Sequence, residues 1–139
     1  MGESLRSKPA EHAPLGSRKK ARKPHDHGGD APLAAIQEKL QKTDAFQKTA
    51  ALFQQLGDPT RLRIFWLLCH YRACVTNIAA LLQMSNPAVS HHLRPLKASG
   101  LIVSQRAGRE VYYKAADTVQ AQLLHRMLEQ VMEIACPSL

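Results

Sequence analysis

Apolar side chains recur along this chain in two rhythms, and the change of rhythm divides it into elements. From Leu33 to Leu56 they stand at 33, 36, 40, 46, 50, 52–53 and 56, the spacing of one helical face. Gly57 closes that run, as a glycine in the left-handed region commonly does. In "DPTRLRIFWLLCHY", Asp58 is placed to cap a second helix and Pro59 fits its first turn. Ile64, Phe65, Trp66, Leu67 and Leu68 make that helix apolar nearly all round, which predicts a central position. "VTNIAALLQMSNPAVSHHL" predicts two short helices joined by the turn "QMS". Thr76 or Asn77 caps the first, which runs to about Leu82. Ser85 or Asn86 caps the second, with Pro87 in its first turn and Gly100 as its stop.

After Gly100 the period shortens. Leu101, Ile102 and Val103, then Val111, Tyr112 and Tyr113, are strand formers on either side of "RAGRE". They predict a β-hairpin with Arg106 and Arg109 near its tip. The helical spacing returns from Asp117, a cap, to about Ile134, with apolar residues at 119, 123, 124, 127, 128, 131, 132 and 134. One face of a small domain rarely needs so much apolar surface. Part of it is therefore expected to meet a second subunit, with Leu124, Met127, Leu128 and Val131 as the interface.

Residues 1–32 carry almost no large apolar side chain and cannot offset the entropy of ordering, so a disordered basic tail with His12 and "HDH" at 25–27 is expected. Residues 33–139 suffice for one domain. The formal charge is +8, and the excess is not confined to the tail, which holds 7 basic and 4 acidic residues. Such a balance favours a polyanionic partner. No apolar run reaches the roughly 20 residues of a membrane span, and "MGESLRSKPAEH" has no signal core, so a cytoplasmic protein without membrane contact is expected. Three cysteines in a reducing compartment argue for free thiols rather than a disulfide scaffold.

The stretch "SNPAVSHHLRPLKASG" sets the chemical question. It carries two adjacent histidines, two bases and no acid. A shared metal ion is a poor account of His91 and His92, because adjacent helical side chains diverge by about 100°. A recognition helix accounts for the whole set. Its N-terminal residues Ser85, Asn86, Ala88, Ser90 and His91 would meet base edges, while Arg94 and Lys97 lie where phosphate contact is expected. Val89 and Leu93 should face inward. Arg106 and Arg109 suit a minor groove or its flanking phosphates. Pro95 should kink the helix or end it early.

"LGDPTRLRIFWLL", "IAALLQMSNPAVSHHLRPLKASGLI" and "RAGREVYYKAAD" together resemble the ArsR/SmtB family of winged-helix transcriptional repressors, over roughly residues 46–136. The resemblance implies a mainly α fold with a small β-hairpin wing, dimerising through its first and last helices. It implies a homodimer on palindromic double-stranded operator DNA. It also implies a sensor. The family's thiolate box, Cys-Val-Cys-Asp in form, matches "CVTN" here, with Cys74 kept, Thr76 for the second thiol and Asn77 for the acid. The family's second metal site matches Asp117 and Glu133 but has Val119 and Gln130 where imidazoles belong. Cys69 and Cys136 are the other thiols available to Cys74, for a soft ion such as As(III), Cd or Pb, or for thiol chemistry.

Three other readings share these residues. One is a winged-helix regulator answering another ligand. One is a constitutive DNA or protein-interaction module. The third is a nucleoid-like binder with little sequence preference, carried by charge. An enzyme is not expected, since no G-x-S-x-G, H-E-x-x-H or phosphate-loop pattern appears.

Overall fold

The computed structural model describes residues 25, 27, 28 and 32–134, and the first apolar run, expected as one helix, is two. Helix α1 is Leu33–Leu40 and α2 is Thr43–Leu56. Lys42 leaves helical geometry between them, at φ −78° and ψ 59°. No large apolar residue stands between Leu40 and Phe46, so no continuous face supports a helix across the gap. Asp44 then favours a fresh start, with its carboxylate in the first turn of α2. The chain divides into two units, residues 1–39 and 40–139. Gly57 ends α2 in the right-handed region, at φ −74°, and not in the left-handed one.

In the second unit, α3 (Pro59–His70) begins at the expected cap, where Asp58 Oδ2 accepts from the Arg61 backbone N–H at 2.8 Å. The Arg61 guanidinium donates from Nε to the Gln55 carbonyl at 2.8 Å, fastening α3 to the end of α2. Strand β1 (Ala73–Cys74), which the sequence pattern did not reveal, leads into α4 (Val75–Leu82). Cys74, and neither Thr76 nor Asn77, occupies the cap position, without a side-chain bond. Gln83 turns the chain at φ 55°, and α5 (Asn86–Ala98) starts from Ser85, whose Oγ accepts from the Ala88 N–H at 3.2 Å. Pro95 sits inside α5 without ending it; Leu96 beyond it is fully buried and holds the last turn in place.

Strands β2 (Ile102–Ala107) and β3 (Glu110–Ala115) form the hairpin, with Ala107 opposite Glu110. Gly108 takes φ 64° in the tight turn, where a side chain would be strained. β1 pairs antiparallel with the far edge of β3, giving the order β1-β3-β2. Helix α6 (Val119–Met132) is capped by Thr118 Oγ1, which accepts from the Ala121 N–H at 3.2 Å. The expected cap, Asp117, instead accepts from Gln122 Nε2 at 2.9 Å.

Ile64, Phe65, Ile78, Val89, Leu96, Leu101 and Ile102 are the largest fully buried side chains of the core. Trp66 and Leu67 are half-buried, so α3 is central without being wrapped on every side. Among the described residues, no polar or charged residue is buried.

The Arg61 N–H bond holds the Asp58 carboxyl below its ordinary value, helped by the nearby charges of Arg61 and His92 and opposed by desolvation. A carboxyl lowered on folding stabilises the fold at pH values above the ordinary carboxylate range. That contribution is lost as pH falls through the folded value. We expect Asp58→Ala to cost about 1 kcal/mol in urea denaturation at neutral pH, and Asp58→Asn distinctly less. The gap between wild type and Asp58→Ala should close below about pH 4. Equal urea midpoints at pH 7 would remove the cap from this account.

Candidate nucleic-acid interface

Helix α5 has two unlike faces. Val89, Leu93 and Leu96 are buried in the core. Ser85, Asn86, His91, Arg94 and Lys97 are exposed, and Ala88 and Ser90 are half-exposed. No acidic residue lies in the helix. The residues predicted to touch DNA therefore lie on or beside one solvent-facing strip. Arg106 and Arg109 are exposed at and beside the tip of the β2–β3 hairpin.

Two residues of α5 carry tasks that the sequence did not disclose. Asn86 Nδ2 donates to Thr76 Oγ1 at 3.4 Å, a long bond linking the starts of α4 and α5. Thr76 is the residue standing where the thiolate box would have its second cysteine. His92 turns away from the strip. It is half-buried, with Nδ1 3.6 Å from Asp58 Oδ2, which sets the middle of α5 beside the cap of α3. His91 stays exposed, its ring edge-on to that of His92 at 5.5 Å.

The predicted sensor thiols are not gathered in one place. Cys74 is a buried free thiol, and Cys69 is half-buried. Cys136 lies outside the described residues, as do most of residues 1–32. Asp117 and Glu133, the two surviving members of the second family pattern, are exposed, and so are Val119 and Gln130. Among the described residues, the one group of three side chains able to hold a metal is a different set: His70, His125 and Glu129. His125 lies midway along α6. Nothing in its neighbourhood along the chain points to His70, which is 55 positions away.

The expected interface residues of α6 also divide. Leu124 and Leu128 are buried in the chain's own core, and Met127 packs against it. Val131 is 73% exposed. Leu123 and Val119, one and two steps of four from Met127, are exposed beside it. The free apolar stripe is thus Val119, Leu123 and Val131, turned away from the residues the core has taken. On α2, Phe46 and Phe53 are exposed as well.

Residues 58–104, which run from the α3 cap through the first half of β2, match the family described as bacterial regulatory protein, arsR family. The chain is 36% identical over 98 residues to a transcriptional repressor SmtB homolog of Synechocystis, spanning 70% of this chain and 74% of that protein. It is 33% identical over 87 residues to a cadmium resistance transcriptional regulatory protein CadC homolog of Staphylococcus aureus, spanning 62% and 72%. Among solved structures, a homodimeric winged helix-turn-helix DNA-binding domain of Mycobacterium bovis superposes with a TM-score of 0.61 at 27% identity, spanning 67% and 85%.

Capping and DNA contact at Ser85 can be separated. Ser85→Ala should lower stability by about 1 kcal/mol. Ser85→Asp should keep stability within about 0.5 kcal/mol, because aspartate caps equally well. The added charge should nevertheless weaken binding to duplex DNA about tenfold or more. Calorimetry and fluorescence anisotropy on the two variants check this. Undiminished DNA affinity for Ser85→Asp would take Ser85 out of the interface.

Proposed function

The chain belongs to the arsR family of bacterial regulatory proteins, and on that premise we propose that it is a homodimeric, cytoplasmic repressor of a palindromic operator. Two α5 helices enter successive major grooves of the duplex. The observation that carries this reading is the two-faced α5. Its aliphatic side is dry, while its opposite side offers hydroxyl, amide, imidazole and two cationic groups to solvent. Ser90 and His91 read base edges, and Asn86 does so by exchanging its long bond to Thr76 for one to adenine. Arg94, Lys97, Arg106 and Arg109 hold phosphates or enter the minor groove. Val119, Leu123 and Val131 on α6, with Phe46 and Phe53 on α2, supply the dimer contact. That assignment keeps the last helix and moves the contact off Leu124 and Leu128.

A metal ion is the effector class this reading favours, and the cadmium-related name of the Staphylococcus aureus relative supports it. The finer version places As(III), Cd(II) or Pb(II) at Cys74 with Cys69 or Cys136. Its support is position: Cys74 is both the last residue of β1 and the N-cap of α4, at the root of the helix-turn-helix. It requires further thiolates, and none of the described groups of three includes Cys74 or Cys69.

Operator binding at several salt concentrations tests the DNA reading. Arg94→Ala should weaken specific and random duplexes alike and lower the salt slope by about one unit. His91→Ala should instead cost about 1–3 kcal/mol on the operator while leaving random DNA nearly unaffected. If both variants bind operator as the wild type does, α5 is not the reading helix.

A further inference from the structure

We propose that His70, His125 and Glu129 form a binding site for a divalent cation of borderline softness, of the Zn(II), Co(II) and Ni(II) class. Three ligand atoms from two helices converge. His125 Nε2 lies 3.0 Å from His70 Nε2 and 3.0 Å from Glu129 Oε1, and His70 Nε2 lies 3.3 Å from the same oxygen. A tetrahedral ion with bonds of about 2.0–2.1 Å sets its ligand atoms about 3.3 Å apart. The observed triangle is therefore close to one face of such a site.

Protons alone do not satisfy this triangle. Each Nε2 either carries a hydrogen or offers a lone pair, and the carboxylate only accepts. If both imidazoles carry the hydrogen at Nε2, two donors face each other across 3.0 Å. If only one does, the other nitrogen and the carboxylate oxygen face each other as acceptors. A cation with all three lone pairs directed at it relieves every edge at once.

The surroundings suit an ion. The three side chains are only 15–21% exposed, so little water competes with them. The Trp66 ring, 4.6 Å from that of His70, and the edge-on contact between the two imidazoles hold the rings in place. His125 and Glu129 are one turn apart on α6, and His70 is the last residue of α3. A cleft of about 390 Å³ opens beside both imidazoles and is lined also by Cys69 and Asp117. It leaves room for a solvent molecule as fourth ligand. Two nitrogens and an oxygen favour a borderline ion over the soft ions that want thiolates. Neither family pattern legible in the sequence contains any of the three residues.

The site names the ion class for the metal-responsive repressor proposed above, and rests on that reading for its consequence but not for its existence. An ion here ties the end of α3 to the middle of α6. α3 is packed on α5, and α6 bears the exposed stripe assigned to the dimer. Loading should lower operator affinity by about 5–150-fold, the usual range of such coupling.

The experiment is Co(II) titration of the full metal-free chain, followed by visible absorption, with displacement by Zn(II). We expect one Co(II) per chain with the intense bands of a tetrahedral site. Those bands should vanish in His125→Gln and Glu129→Gln and persist in Cys74→Ser. The Gln variants are near in size to the originals, and far-ultraviolet dichroism verifies their fold. No stoichiometric uptake by wild type would overturn the proposal. So would uptake unchanged in both Gln variants, or abolished by Cys74→Ser alone. Operator anisotropy of the metal-free protein is measured in parallel. Failure there would remove the repressor reading while leaving the metal site standing.

Discussion

Val89, Leu93 and Leu96 must be dry for the opposite face of α5 to point anywhere in particular. A helix of 13 residues with a proline inside it would not persist alone in water. Burying each of these side chains is worth about 1.5–3 kcal/mol, enough to outweigh an interior proline at about 3 kcal/mol. The surfaces they bury against come from α3, α4 and the start of β2. Orientation of the basic strip is thus a packing result. The charges themselves decide nothing about where the helix sits; they decide what it meets. The buried stripe also explains why Asp58 and His92 come together, because seating α5 on α3 sets the middle of one helix over the cap of the other.

α3 lies at the centre of this unit. It is packed against α2, α5, β3 and α6, and polar side chains meet across helices at its start and at its last residue. At its start are Asp58, Arg61 and His92; at its end are His70, His125 and Glu129. A rigid apolar rod carrying both polar clusters converts a small displacement at one end into a tilt at the other. Coupling between a ligand and DNA then needs no chain of hydrogen bonds. It needs only that the two ends prefer different settings of α3 against α5 and α6.

What could be read along the chain was whatever depends on neighbours a few positions apart. Asp58-Pro59 and Ser85 announced two helix starts, and Gly100 and Gly108 mark the end of α5 and the turn of the hairpin. Val89 and Leu93 were legible as the inward face of α5. The failures share a cause. β1 is two residues long, and only Tyr112 and Tyr113 on the hairpin make it a strand. Pro95 is expected to kink its helix or end it early, and burial of Leu96 carries the helix past it. Leu124 and Leu128 lay in the same apolar stripe as Val119, Leu123 and Val131, and nothing in the spacing says which side the core takes. The trio of His70, His125 and Glu129 needed the packing of α3 on α6 before it existed as a group.

The thiolate pattern and the imidazole trio lie at opposite ends of the β1–α3 connection, and the residues that replaced the pattern have been put to another use. Where a second thiol and an acid would stand, Thr76 and Asn77 stand, and Thr76 reaches Asn86 at the head of α5. A hydroxyl there is no ligand for a soft ion, but it does link the starts of α4 and α5. Cys74 alone, buried behind it, lacks the partner thiolates that soft-ion affinity requires among the described residues. Donor atoms of a different hardness have meanwhile collected about the far end of α3. Moving the ligands from the α4 cap to the α3–α6 junction changes the preferred ion from one that seeks sulfur to one content with nitrogen and oxygen. It also changes the lever. In the proposed reading, an ion at the α4 cap would act on α5 directly, whereas one at the α3–α6 junction would act on the helix assigned to the dimer contact, so the response would pass through dimer geometry.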